Sequence, residues 1–478
     1  MILNKKTLLI AAILVLLLSL VASTVDIFGD SSPLITTIMA TILFLTFICY
    51  QQQSELNGFW HKPSNIFVIG YICLNYQYLV DLVLGFKSRE DFYLAHTVND
   101  ISILSTIGFS AFCLAYYCTK TSGKSINNVP EYSISVLPLC ILQVLFFLAW
   151  ILTADIVGMM AGATYGVSSE TATNSFEGFF YQATEALFVT VILNNYKNVP
   201  LSLKEFIKTL PIYSWLIIAL YLLIRVMSGD RGPFIYTSLL IFFSFILLSK
   251  VKFKFKKIVF ALIVASLFIN LVGIARRLDN SKSFGERIID SYTEFFQSSE
   301  SRFSDKTICP PTEELALSSR CNQVAVNAIK YEQQPYHNGK FMFYNLIQRI
   351  PFVPSYLQND LKIPITELSS DYYLTYEYAG DYRMYQIGTT CIADSYLDWG
   401  IMGVVFIMFV IGWIYKKIDY KVCLYGVSTP IMLICVLLVS SHSIYVCRST
   451  IVAQFKHLIP ILVFFYANYI ISSKKTKQ

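Results

Sequence analysis

Twelve mostly apolar stretches of about twenty residues recur along the chain, near 7–28, 33–50, 65–86, 98–118, 133–157, 178–194, 210–228, 233–249, 257–275, 399–415, 427–446 and 450–471. No other feature narrows the possible folds as far. A helix of that length crosses the roughly 30 Å hydrocarbon core of a bilayer, and it satisfies its own backbone hydrogen bonds while doing so. Composition agrees. Hydrophobic residues make up 55% of the 478 and charged residues only 14%, against roughly 25% in soluble proteins, too few for a polar shell. Disorder is excluded by 36 Phe and 32 Tyr. The expected fold is an all-α polytopic membrane protein of about twelve transmembrane helices. Val25-Asp26-Ile27-Phe28 offers no small-residue cleavage site, so the first stretch is read as an uncleaved span.

Lysine sets the orientation. With a cytoplasmic N-terminus, alternate connections carry Lys120 and Lys124, then Lys197, Lys204 and Lys208, then the run Lys250 to Lys257, then Lys416, Lys417 and Lys421, and finally Lys474, Lys475 and Lys477. All fall on one side, as the positive-inside rule requires, and an even number of spans returns the C-terminus to the cytoplasm. A net charge of +6 therefore reads as an orientation signal rather than nucleic-acid binding. The eleven Arg behave oppositely. Arg89, Arg225, Arg231, Arg276, Arg277, Arg287, Arg302, Arg320, Arg349, Arg383 and Arg448 all lie in or beside outward segments. A guanidinium binds phosphate through two parallel hydrogen bonds, which an ammonium does not. Snorkelling at the membrane surface explains an outward Arg equally well.

Three regions follow: residues 1–277 with spans 1 to 9, residues 278–398 as a large, partly helical periplasmic loop, and residues 399–478 with spans 10 to 12 and a cytoplasmic tail. The 121-residue loop holds sixteen of the 31 Asp and Glu, so it is hydrated. Loops this long usually carry function. Helix-like apolar spacing runs from Ser283 to Phe303. Tyr372, Tyr373, Tyr376, Tyr378, Tyr382, Tyr385 and Tyr396 crowd its end, suited either to stacking on sugars or to the membrane interface. Cys309 and Cys321 are expected to pair in an oxidising compartment.

Four short stretches could carry chemistry. Ser228-Gly229-Asp230-Arg231-Gly232-Pro233 is a tight turn that brings two charges to the membrane surface; a local ion pair is the simpler account. Arg276-Arg277 places two cations side by side where the ninth span emerges, which invites an anion. Asp394 and Asp398, in Thr389-Thr390-Cys391-Ile392-Ala393-Asp394-Ser395-Tyr396-Leu397-Asp398-Trp399-Gly400, are four apart and would share a helix face. Close carboxylates push their pKa values apart, a route to a base; helix capping is the alternative. The last stretch, His442 to Ser449 with Arg448, precedes Lys456 and His457, and a lysine inside an apolar segment needs a partner. No Cys-x-x-Cys pair and no Gly-rich Lys-Ser/Thr loop occurs, so neither zinc nor nucleotide is expected.

The Ser228 to Gly232 turn, the Ala393 to Gly400 stretch leading into a late span, and Arg448 near the end together resemble the O-antigen polymerase family, the Wzy-type oligosaccharide repeat-unit polymerases. Many spans with one large late outward loop agree with it. Some members carry Arg, ten residues, then Gly, and no Arg here has Gly at that spacing. The resemblance implies a membrane glycosyltransferase acting on undecaprenyl-pyrophosphate-linked glycans as donor and acceptor. It also implies an inner-membrane site without cofactor, in the company of flippase and chain-length regulator proteins. Catalysis would fall to Asp394, Asp398, Arg231 and Arg448, and substrate binding to Asp230, Arg276, Arg277, Arg383, Tyr396, His442 and Lys456. A ligase with the same donor is one alternative. A flippase with Glu185 near the midplane is another.

Overall fold

The structure is a computed structural model that describes residues 4–54, 60–86, 93–121, 132–154, 156, 175–228, 231–249, 251–253, 256–257, 260–261, 264, 286–287, 289–290, 312–348, 350, 353–381, 387–423 and 429–475. It is 82% helical with no strands among the described residues. The principal helices are α1 (Lys5–Thr24), α2 (Ser32–Gln53), α3 (Pro63–Val83), α4 (Val98–Cys118), α5 (Leu137–Thr153), α6 (Ser175–Asn195), α7 (Ile212–Met227) and α8 (Arg231–Ser249). The large loop contributes α9 (Ser319–Val326), α10 (Lys340–Ile347) and α11 (Ser370–Ala379), and the chain ends with α12 (Cys391–Cys423), α13 (Pro430–Ser441) and α14 (Leu458–Lys475).

Eight of the described helices are long and apolar enough to cross a membrane: α1, α2, α3, α4, α6, α8, α12 and α14. Shorter apolar helices, α5, α7 and α13, occupy three more of the expected spans. The expected ninth span, 257–275, lies outside the described residues except for isolated positions, as does most of the helix-like run Ser283 to Phe303.

The bundle has two main apolar cores. The first joins α1 to α4 with α12 through Leu43, Phe67, Phe112, Met408 and Tyr415, and takes in Ala325, Phe341 and Leu374 from the loop helices. The second joins α6, α8, α13 and α14 through Phe188, Phe243, Leu437 and Phe465. The loop is thus seated on the first core. Polar ties reinforce this: Thr312 donates to both Asp81 carboxylate oxygens, at 3.1 and 2.9 Å, and Asn322 donates to Asn75 at 2.9 Å. α12 lies against α4, and Gly412 meets the Phe112 carbonyl so closely that no β-carbon fits.

Two departures from the sequence expectation matter for the site. α12 begins eight residues before the expected span and breaks at Trp399 (φ −143°) and Gly400 (φ 64°, ψ −152°), a backbone region open essentially to glycine alone. The last two spans were expected as long helices, but α13 has 12 residues, about 18 Å, too short to cross. Residues 442–457 between α13 and α14 are turns and short 3₁₀ segments. Hydroxyls there turn back onto carbonyls, as Ser443 Oγ does to Ser440 O at 2.8 Å, and Cys447 Sγ donates to Phe67 O at 3.5 Å. Irregular backbone at this position in the chain is tolerated only when the protein encloses it.

Candidate active site

Thr390 starts α12: its hydroxyl accepts from Ala393 N at 3.0 Å, satisfying an orphan donor of the first turn. The same hydroxyl donates to Asn322 Oδ1, tying α12 to α9. One turn on, Asp394 is 5% exposed. Its Oδ1 accepts from Ser370 Oγ, at the start of α11, and from Thr389 Oγ1 at 2.8 Å. Among the described residues its Oδ2 receives only Ile451 N, at 3.3 Å, from the irregular segment. Three elements distant in sequence therefore meet at one carboxylate.

Asp398 faces different partners. Its oxygens accept Phe341 N at 3.2 Å and Met342 N at 2.9 Å, so it caps the N-terminus of α10. Asn338 N to Asp398 O at 2.9 Å and His337 N to Leu397 O at 3.0 Å lock the approach. Two carboxylates one turn apart on α12 thus serve separate structures.

Arg448 closes a 3₁₀ turn, Tyr445–Arg448, and is half-buried. It makes no hydrogen bond or ion pair among the described residues. Arg320, on α9, is buried with its guanidinium 4.7 Å from the centre of the Tyr378 ring. Both arginines and Asp394 act on one group, the Cys321 thiol. Burial pushes it up to about 11, against the pull of Arg320 and Arg448, while Asp394 pushes with the burial. The Cys321 sulfur donates to Ile387 O at 3.3 Å; Cys309, its expected partner, lies outside the described residues. Tyr396 is mostly buried, edge-on to Tyr336 with ring centroids 6.5 Å apart.

The model of the family "O-antigen polysaccharide polymerase Wzy" matches residues 7–478. The chain belongs to this family. Comparisons with curated proteins and with solved structures gave no match. As a Wzy-family member it is a multi-pass membrane protein and a polysaccharide polymerase.

For a Wzy-family chain the remaining expected site residues divide as follows. Asp230, Arg276, Arg277 and Arg383 lie outside the described residues, as does the side chain of Arg231, although Arg231 opens α8. His442 and Lys456 belong to a second polar cluster. His442 is buried, its Nδ1 lies 3.1 Å from Leu438 O, and its ring stacks on Tyr236 at 5.2 Å between centroids. His457 Nδ1 lies 2.8 Å from Glu185 Oε2, with both side chains enclosed. Glu177 and Arg225 form a buried ion pair, with Tyr221 donating to Glu177 at 2.9 Å, which commits Arg225 to the bundle. No group of three or more His, Cys, Asp or Glu among the described residues could hold a metal.

The sequence alone counts Arg320 among the outward arginines without placing it in the site, includes Thr389 only as part of the stretch leading to Gly400, and gives no sign of Ser370. Arg320 sits in the acid-rich loop with no local spacing that singles it out. Its place against Tyr378, within reach of the Cys321 thiol, is a product of α9 packing on α11 and α12.

Proposed function

We propose that this chain joins undecaprenyl-pyrophosphate-linked oligosaccharide repeat units at the periplasmic face of a bacterial inner membrane. Arg448 carries the reading: a half-buried arginine with no hydrogen bond or ion pair among the described residues, on the irregular segment whose Ile451 amide meets Asp394. In this reading Arg448, supported by the field of Arg320, takes the pyrophosphate of the donor lipid through its two-pronged face. Asp394 keeps Oδ1 anchored by two hydroxyls and offers Oδ2 to the acceptor. The carboxylate takes the proton of an acceptor hydroxyl. The hydroxyl oxygen then attacks the anomeric carbon of the donor glycan, the bond from that carbon to the pyrophosphate oxygen breaks, and undecaprenyl pyrophosphate leaves with the electron pair. Arg448 stabilises the growing charge on that leaving group. Asp398 positions α10 and takes no proton.

A flippase draws support from one observation, the enclosed Glu185–His457 contact beside an irregular segment within the apolar bundle. A ligase shares the donor and differs in the acceptor. Purified protein reconstituted with lipid-linked repeat units separates the three: longer glycans support polymerisation, transfer to a lipid-A core supports a ligase, and movement across the bilayer without a new bond supports a flippase. Orientation has its own test. A reporter active only in the periplasm should work when fused at Asn338 and fail at Lys254; the reverse pattern would remove the periplasmic site. Flippase and chain-length regulator proteins are the proposed partners, and both termini are proposed to be cytoplasmic.

A further inference from the structure

We infer that α10 lies in the surface of the bilayer as an in-plane anchor, with Phe343, Leu346 and Ile350 set among lipids. The helix is two-sided. Phe341 and Asn345 are buried against the protein, whereas Phe343, Leu346 and, just past the helix end, Ile350 are 59%, 52% and 45% exposed. Steps of three and four residues put the exposed set on one face. Scattered exposed apolar residues are ordinary, but this face continues a lipid-facing one. Below the break, α12 exposes Met402 (72%), Phe406 (64%), Phe409 (39%) and Trp413 (43%), again at steps of three and four.

Trp399 joins the two faces. It is partly exposed, and its indole lies on the backbone of Gly339, the residue before α10, leaving no room for a β-carbon there. An indole at such a point suits the membrane interface, with an apolar body and a polar tip. Depth follows from the same contacts. Residues 401–423 of α12 extend about 34 Å, enough to cross the hydrocarbon core, so Gly400 falls at its boundary. The Asp398 carboxylate holds the first amides of α10 at that level. At the N-terminal flank of that face, Lys340 pairs with Glu367 at 2.5 Å, and both side chains stay open to solvent. An apolar face beside a charged pair is the arrangement of a helix lying in the interface. Such an anchor sets the height of α12, and hence of Asp394 one turn away, relative to the lipid headgroups.

The test uses the full chain in nanodiscs of phosphatidylethanolamine and phosphatidylglycerol. A photoreactive benzoylphenylalanine is placed at Phe343, Leu346 or Ile350, with Met402 as the lipid-facing reference and Glu332 as the water-facing one. After irradiation, mass spectrometry should find lipid adducts at the three α10 positions with yields close to that at Met402 and well above that at Glu332. In the Phe343→Asp, Leu346→Asp double variant, the adduct at Ile350 should fall to the Glu332 level while that at Met402 persists, which shows that the bundle is still folded. Yields at Glu332 level in the parent chain, or adducts to a second copy of the chain in place of lipid, would overturn the inference. Adduct formation needs neither substrate nor turnover, so the result stands apart from the proposed reaction.

Discussion

The two ends of α12 bury carboxylates in opposite ways. At the C-terminal end, Asp419 is fully enclosed and accepts from Ser64 N at 3.1 Å, Ser64 Oγ and Tyr116 OH. Lys62, also buried, donates a hydrogen bond to Gln51 Oε1, and Gln51 Nε2 in turn donates to Tyr116 at 3.0 Å. Lys416 rests over the rings of Tyr50 and Tyr116, 4.7 and 4.6 Å from their centres. Every charge there has a partner within the bundle. At the N-terminal end, Asp394 has one oxygen doubly bonded and the other held only by a 3.3 Å amide, and Arg448 has no partner among the described residues. A buried ion costs several kcal/mol unless it is satisfied. The closed network fastens α2, α3, α4 and α12 together; the open one leaves capacity for a ligand.

That contrast breaks most readily at Asp394. Asp394→Asn keeps an oxygen for Ser370 and Thr389, so the protein should fold, yet polymerisation in reconstituted vesicles should fall by at least about a hundredfold, the scale of general-base loss. A normal ladder of glycans from this variant would erase the distinction between the two ends. Asp419→Ala should do the reverse. Leaving Lys62 buried without its counter-charge should cost about 3 kcal/mol, read as a lower apparent Tm in detergent, while folded protein keeps its specific activity. Adding Lys62→Met to Asp419→Leu should recover part of the loss; a double variant no better than Asp419→Ala would mean that the network does more than balance charge.

Arg448→Lys comes next. An ammonium keeps the charge but loses the fork, so polymerisation should drop about tenfold, near 1.4 kcal/mol of transition-state stabilisation, at unchanged protein levels. Unchanged turnover would leave Arg448 as a snorkelling residue. The smallest effect is expected at Asp398. Asn caps a helix about as well as Asp, so Asp398→Asn should polymerise nearly normally, whereas Asp398→Ala should cost about 1 kcal/mol of stability through loss of the α10 cap. A strong activity loss in Asp398→Asn alone would return it to the chemistry.

The helical class, the apolar spans and the membrane setting were legible because they depend on local composition: a run of twenty apolar residues has few other stable fates. The shared-face reading of Asp394 and Asp398 followed the helix period correctly, but period says nothing about what approaches the face. Asp398 met the start of α10 and Asp394 met Ser370, Thr389 and Ile451, partners 57, 24, 5 and 57 residues away. Hydropathy also overran at the end of the chain. It ran one span to residue 446 and restarted the next at 450, whereas the Ser441 and Ser443 hydroxyls bond to the Leu438 and Ser440 carbonyls, and contacts with Phe67 and Asp394 hold the segment out of helix.

By itself, then, the order of amino acids determined that many segments prefer a bilayer, and that a long, acid-rich stretch precedes the late apolar run that begins near residue 399. These follow from transfer energies that each segment carries wherever it sits. Only the tertiary structure decided which carboxylate is spent on a cap and which keeps an oxygen more lightly held, which arginine pairs within the bundle and which has no hydrogen bond or ion pair among the described residues, and that the charges of Arg320 and Arg448 both reach the Cys321 thiol. Hydrogen bonds and ion pairs act over a few ångströms, and the groups that make them here are brought together by packing α9, α10 and α11 onto α12 across dozens of residues of chain.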